Sequence, residues 1–408
     1  MDRLNILLLR MTKKRYVFHI VILGLLTAIS PFSIDMYLPG FRDIAAGLHT
    51  TVASVSLSLS SYFVGISLGQ LLYGPLLDRH GRKRPLYFGL LLYILSSAAC
   101  TQVHDINSLI LLRFVQALGG CGATVAAMAM VRDLFGPKES AKVFSLLLLV
   151  IGASPMLAPT AGSYIISLYG WRAVFVVLLV MAILITLLAI LGLPESYQPD
   201  ESFSLRPKPI LKNFWSVLRD PAFLTYSVSG SLAFTGLFAY VSGSPIVFMD
   251  VYHVDKKTYG WIFAGLSVGF IGLSQFNTLL LKKYSSEQII KVALAIQVLL
   301  SLLFLFGNMA GWYSLPQTLV FLFFLLGSIG FCNPNAAALA LAPFSRNAGI
   351  ASALLGAMQM GTGALGSVAV SVFSNGTATP MIAVMAISSA LAWIVMILAQ
   401  TKMAKTIH

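Results

Sequence analysis

Polar positions along the 408-residue chain are sparse and bunched, and between the bunches run apolar stretches of about 20 residues. A helix rises about 1.5 Å per residue, so each stretch is long enough to cross a hydrocarbon core of roughly 30 Å. The pattern predicts twelve spans, over 17–38, 52–76, 86–103, 107–131, 142–167, 171–193, 222–249, 258–281, 288–308, 316–341, 348–373 and 380–400. The longest polar stretch, Pro194 through Arg219, falls between the sixth and seventh. The expected organisation is therefore an N-terminal six-helix bundle (1–193), a linker (194–221) and a C-terminal six-helix bundle (222–408). Ser30-Pro31 and Ile34-Asp35-Met36-Tyr37 in the first span echo Ser244-Pro245 and Met249-Asp250-Val251-Tyr252 in the seventh, with one extra residue between the two elements. Such matching positions are what a duplicated, pseudo-symmetric plan produces. The plainer reading of Asp250 is that it opens an outer loop with His253, Asp255 and Lys256.

Composition sharpens this into an all-α membrane protein. The chain is 58% hydrophobic and 10% charged, where a soluble domain carries about 25% charged residues. Its net charge of +13 is a matter of topology rather than nucleic-acid binding, which needs a basic soluble surface. With the amino terminus inside, the inner segments hold 22 Lys and Arg residues and the outer loops four, Arg42, Arg172, Lys256 and Lys257, so both termini are expected in the cytoplasm. Lys13-Lys14-Arg15 before an apolar run imitates a secretory signal, but no small-residue cleavage site follows and the segment is expected to stay as the first helix. Cys100, Cys121 and Cys332 show neither pairing nor metal spacing and are read as packing residues.

Two ionisable residues stand out. Asp35 is the only acid in the first apolar run, and Arg113 is the one basic residue inside a span. Either charge in hydrocarbon costs at least about 2.5–3.5 kcal/mol, which calls for a partner, a water-filled cavity or, for the acid, a proton. Asp35 sits about 6 Å below the outer end of its span and Arg113 about 9 Å below the end of its own. Their similar depth leads to the expectation of an acid–guanidinium pair across a central cavity, with proton coupling assigned to both. The competing role for Asp35 is an end cap at headgroup level. Tyr37, Phe234, Phe238, Tyr240, Asn333, Asn335 and Gln359 are the candidates to line a substrate cavity of apolar walls with a few hydrogen-bonding groups.

The loop after the second span reads Gly74-Pro75-Leu76-Leu77-Asp78-Arg79-His80-Gly81-Arg82-Lys83-Arg84. Glycine permits a tight hairpin, and Asp78 can accept hydrogen bonds from a facing helix amino terminus, expected at Asn347-Ala348. This loop resembles the signature loop of the major facilitator superfamily. Arg113, followed by Gln116 and Gly119, matches that superfamily's fourth-helix arginine. The fifth span, Gly152 through Ser163, keeps Pro159 and Gly162 of the family's antiporter motif but has Ala158 and Ser163 where the pattern has glycine. Asp133, at the inner end of the fourth span, joins Gly74, Asp78, Arg79, Gly81, Arg82, Pro159 and Gly162 as residues expected to govern the opening and closing of the two sides.

Further stretches, Ile34 to Pro39, Tyr240 to Pro245, Asn333 to Ala340 and Ala351 to Gly356, are similar to the Bcr/CflA group of that superfamily, the proton-coupled exporters named for bicyclomycin and chloramphenicol resistance. The resemblance implies a multi-pass protein of the bacterial inner membrane that exports small amphipathic drugs against an inward flow of protons by alternating access. It implies no metal and no cofactor other than the proton gradient, and a monomer is expected. An exporter of an endogenous metabolite such as a siderophore or amino acid shares every motif. An enzyme is not expected, because no clustered nucleophile, base or metal ligands occur and the histidines join no motif.

Overall fold

The structure, a computed structural model, describes residues 13–200, 205–344 and 348–406. Among these, twelve long helices carry the chain back and forth: α1 (Lys13–Asp35), α3 (Val52–His80), α4 (Lys83–Cys100), α5 (Ile106–Leu134), α6 (Pro137–Tyr169), α7 (Arg172–Gly192), α9 (Pro221–Pro245), α10 (Lys256–Gln275), α12 (Ser286–Met309), α13 (Leu315–Leu341), α14 (Ala348–Val372) and α15 (Thr379–Thr406). Short helices α2 (Phe41–Gly47), α8 (Pro207–Leu218) and α11 (Asn277–Leu280) join them. Eleven of the long helices are apolar enough over 18 residues to cross a membrane. The exception, α4, has only 18 residues and so must count Lys83 and Arg84 in its apolar window.

Helices begin where the sequence supplies a cap. Asp105, Asp220 and Asp255 accept backbone N–H groups at the starts of α5, α9 and α10, and Ser285 forms a capping box with Gln288 at α12. Several helices run past the predicted spans, α6 from Pro137 rather than 142, because polar turns continue a helix beyond the apolar core. The linker expected as a polar connection contains the helix α8.

Packing follows two equivalent sets. In the first, α1 packs on α5, α6 and α7, α3 on α5, and α4 on α5 and α7; in the second, α9 packs on α13, α14 and α15, α12 on α13 and α15, and α10 on α13. The sets meet through α3 against α14 and α6 against α10, so the second helix of each lies on the fifth of the other, as a two-fold relation between halves requires. Small residues line these seams. The Ser60 and Ser367 hydroxyls are 2.7 Å apart, Ser67 donates to the Ala357 carbonyl at 2.7 Å, and Thr160 donates to the Gly260 carbonyl at 3.2 Å. The outer surfaces of the helices are apolar, with Leu111, Leu148, Leu168 and Leu191 largely exposed, as a lipid-facing bundle demands.

Candidate functional site

Asp35 ends α1 where the chain turns through Leu38–Gly40, deep inside the protein rather than at its rim. The residue is 4% exposed and its carboxyl meets no hydrogen-bond donor or cation among the described residues. The position depends on α6. Gly162 faces the Met36 carbonyl so closely that a Cβ there would sit 1.8 Å from the oxygen, and only glycine lets α6 approach the end of α1 this way. Across the seam, Asp35 lies within electrostatic reach of Tyr240 and Tyr259 of the second set. The Tyr240 hydroxyl is buried without a partner, whereas that of Tyr259 is 2.9 Å from the Ser244 hydroxyl.

Arg113 does not pair with Asp35. It is fully buried and lies between the rings of Tyr37, 4.3 Å away, and Tyr62, 4.2 Å away. It donates to the Gln116 side chain and, at 2.7 Å, to the Ser33 carbonyl, while its Nε has no partner. Similar depth was a poor guide because direction around the helix also matters. Two residues turn a helix by about 200°, and Ser33, two before Asp35 in α1, sets its hydroxyl against that of Tyr93 inside the first set, so Asp35 faces the other way. Arg113 is thus fixed on the first set as a caged cation, and Asp35 is left as a lone acid at the seam.

A cavity of about 470 Å³ opens between the sets at the end carrying the basic loop. Gln70 and Gly74 of α3, Thr124 and Met128 of α5, Phe214 of α8 and Ile350 of α14 form its walls. None of the seven residues expected to line a substrate cavity lies in it. Tyr37 is locked against Arg113 and 3.3 Å from the Ser58 hydroxyl. Phe238 is wedged 4.5 Å from the Phe63 ring across the seam and 5.3 Å from Phe234. The Tyr240 ring lies tilted against that of Phe263, centroids 5.2 Å apart, within electrostatic reach of Asp35. Asn335 donates to the Asn277 side chain at 2.7 Å and serves helix packing. Gln359 donates to Asn333 at 2.7 Å, both partly buried. The sequence signal for the cavity was Gln70, a polar residue inside a span, together with Thr124; neither belongs to a motif.

At the same end, Arg82 gathers the loop. It donates to Asp78 at 2.9 Å and to Asp133 at 2.7 Å, and its guanidinium lies 4.1 Å over the Tyr197 ring. Burial opposes the charge of Arg82, yet the hydrogen bonds to Asp133 and Asp78 outweigh it and hold the guanidinium above its usual range. Glu195 at the start of the linker accepts the backbone N–H groups of Arg82 and Lys83 at 2.8 and 3.0 Å, capping α4, and Ser196 donates to Asp133. Glu195 carried no signal in the sequence because it falls in the polar stretch from Pro194 to Arg219, expected only to connect. Gly81 holds φ at 79°, which a side chain would strain. Gly74 and Asp78 face the cavity, Arg79 lies in the last turn of α3, and Pro159 lies one turn before Ser163 in α6. Asp78 shares the cavity wall with Gly349 near the start of α14; Asn347, where its cap is expected, lies outside the described residues.

The opposite end is shut. Arg42 donates to Asp250 and to the Met249 carbonyl, and Lys256 pairs with Asp43, so two ion pairs tie the first set to the second. Asp250 therefore does more than begin a loop.

The protein-family comparison matches the Major Facilitator Superfamily over residues 23–367. The chain is 32% identical over 370 residues to a bicyclomycin resistance protein homolog of Haemophilus influenzae, covering 91% of this chain and 92% of that one. It is 28% identical over 342 residues to the multidrug resistance protein MdtL of Klebsiella pneumoniae, covering 82% and 83%. Among solved structures, a D-xylose–proton symporter superposes with a TM-score of 0.72 at 13% identity, covering 93% of this chain and 97% of that one, which speaks for the fold. The twelve long helices of the described residues in two matched sets, a basic-loop network around Arg82 and these likenesses agree: the chain belongs to the major facilitator superfamily, in the branch of the bicyclomycin resistance proteins.

Proposed function

We propose that the protein exports small amphipathic drugs in exchange for protons by alternating access. The observation that carries this reading is Asp35: a buried carboxyl with no partner, at the seam between the two sets, between a sealed end and an open cavity. An ionised carboxylate left alone in such a place costs several kcal/mol, and a proton removes that cost. The mechanism follows in two states. With the ion pairs Arg42–Asp250 and Lys256–Asp43 closed, the cavity at the basic end admits the drug. Drug binding displaces the proton from Asp35 toward that side. Opening of the other end lets drug leave and a new proton arrive. Relatives named for bicyclomycin and multidrug resistance support the substrate class.

In this reading the basic end faces the cytoplasm of a bacterial inner membrane and both termini lie there, in keeping with 22 basic residues on that side against four. The working units are the bundles 1–193 and 222–408 with the linker 194–221 between them, acting as a monomer without metal or cofactor. Arg82, Asp78 and Asp133 then form the inner gate. Everted vesicles test the proposal. Adding drug should dissipate an imposed proton gradient with the native chain and leave it intact with Asp35→Asn at equal membrane content. Full drug-dependent proton movement by Asp35→Asn overturns it. A pump-deficient bacterium expressing the chain should gain resistance to amphipathic antibiotics; resistance to none, with export of a siderophore or amino acid, gives the metabolite exporter instead.

A further inference from the structure

The helix α8 joins the two sets and has two unlike faces. Ile210, Phe214 and Val217 turn inward: Val217 is fully buried in one apolar cluster with Phe223 and Ala351, and Ile210 and Phe214 form part of the cavity wall. The other stripe is Lys208, Leu211, Lys212 and Trp215, continued by Arg219 at the C-cap; the pairs 208/211, 208/212, 211/215, 212/215 and 215/219 stand three or four residues apart, which puts all five on one side. All five are exposed, Leu211 by 63% and Trp215 by 56%. The helix contains no acidic residue. Among the described residues none of the three cations enters an ion pair, and the Arg219 guanidinium lies 5.4 Å over the Trp215 ring.

An exposed leucine and tryptophan edged by cations, on a helix at the membrane end of a bundle, match an amphipathic segment lying in the headgroup layer. Tryptophan favours that layer, and Lys and Arg favour lipids of negative charge. We infer that α8 is a docking strap for anionic phospholipid, with Leu211 and Trp215 set among the headgroups and Lys208, Lys212 and Arg219 on their phosphates. The opposite face of the same helix carries Ile210 and Phe214, which wall the cavity beside Asp78 and Ile350. Membrane charge thereby holds one wall of the cavity. Each cation at an anionic surface favours the seated helix by about fivefold, and three by roughly a hundredfold.

The inference goes beyond the transport reading and is tested without transport. In the full chain, Ser216→Cys places an accessible thiol beside the stripe and keeps Trp215, while Cys100, Cys121 and Cys332 are buried. The labelled protein is placed in nanodiscs of phosphatidylcholine alone or mixed with phosphatidylglycerol. Both faces of a disc carry the same lipid, so no orientation is assumed. A fluorophore on the introduced thiol should be quenched by lipid-borne nitroxide and shielded from aqueous iodide, with shielding at least tenfold stronger in the anionic discs. Adding Lys208→Gln/Lys212→Gln/Arg219→Gln should return it to the phosphatidylcholine level. Equal iodide access in both lipids, or shielding kept by the triple variant, overturns the inference. So does inorganic phosphate that reproduces the effect in phosphatidylcholine discs, since it assigns the cations to free anions.

Discussion

Gly162 offers a sharp test of how the site is built. Replacing it with alanine puts a methyl group 1.8 Å from the Met36 carbonyl oxygen and 2.8 Å from its carbon, both backbone atoms that cannot swing aside. Carbon–oxygen contact requires about 3.2 Å or more, so α1 and α6 must part by roughly 1.5 Å next to Asp35. Overpacking of this kind costs about 1–3 kcal/mol, less the roughly 1 kcal/mol that alanine gains over glycine in a helix. Gly74→Ala is the matched control, because a Cβ at Gly74 meets nothing within 4 Å and keeps the gain in helix propensity. In detergent, thermal unfolding should place Gly162→Ala below the native protein and Gly74→Ala at or above it. Drug-driven proton movement should fall in Gly162→Ala even where the protein remains folded, since the turn bearing Asp35 has shifted. Gly162→Ala with native melting and native coupling would refute the argument that this contact positions the acid.

Three further outcomes follow from the two ends of the molecule. Arg82→Gln strands two carboxylates and should cost about 1–3 kcal/mol, Asp133→Asn less and Asp78→Asn least, because the side chain of Asp78 is 45% exposed against 15% for Asp133; spin-label distances across the basic end should broaden in that order. Asp250→Ala should shift spin-label distances at the opposite end toward the open state, by the roughly 0.2–1 kcal/mol of a partly exposed pair, and the swap Arg42→Asp/Asp250→Arg should restore closure; unchanged distances in Asp250→Ala would deny the ion pair any part in holding that end shut. The Ser108 hydroxyl and backbone N–H hold the Asp105 carboxyl below its usual range. Its capping of α5 is therefore present above the ordinary aspartate range near about pH 4 and lost as pH falls through its lowered folded value. Asp105→Ala should melt earlier than the native protein at neutral pH and alike in strong acid.

Much of the fold was written in the sequence, since length and hydrophobicity of a span are nearly all a bilayer asks of a helix. The two ends were distinguishable for the same reason, through Lys and Arg. Direction around each helix was not. Asp35 and Arg113 were placed at compatible depth, but whether they face each other depends on which of Ser33, Asp35 and Tyr37 the neighbouring helix meets, and span hydrophobicity carries no such information. The same gap explains the cavity. Phe238, Tyr37 and Asn335 have the chemistry of lining residues but spend it on Phe63, Arg113 and Asn277. A polar connector offers no period to read, and the roles of Glu195 and α8, capping α4 and walling the cavity, lie wholly in tertiary contacts.

The proposed exchange places the moving proton on Asp35. Purified protein in weakly buffered detergent, mixed with a transported drug, tests it directly through the pH of the solution. The native chain should release protons on binding drug, and Asp35→Asn, still binding the drug, should release none. Equal release from both would place the exchanged proton on another group and contradict the account.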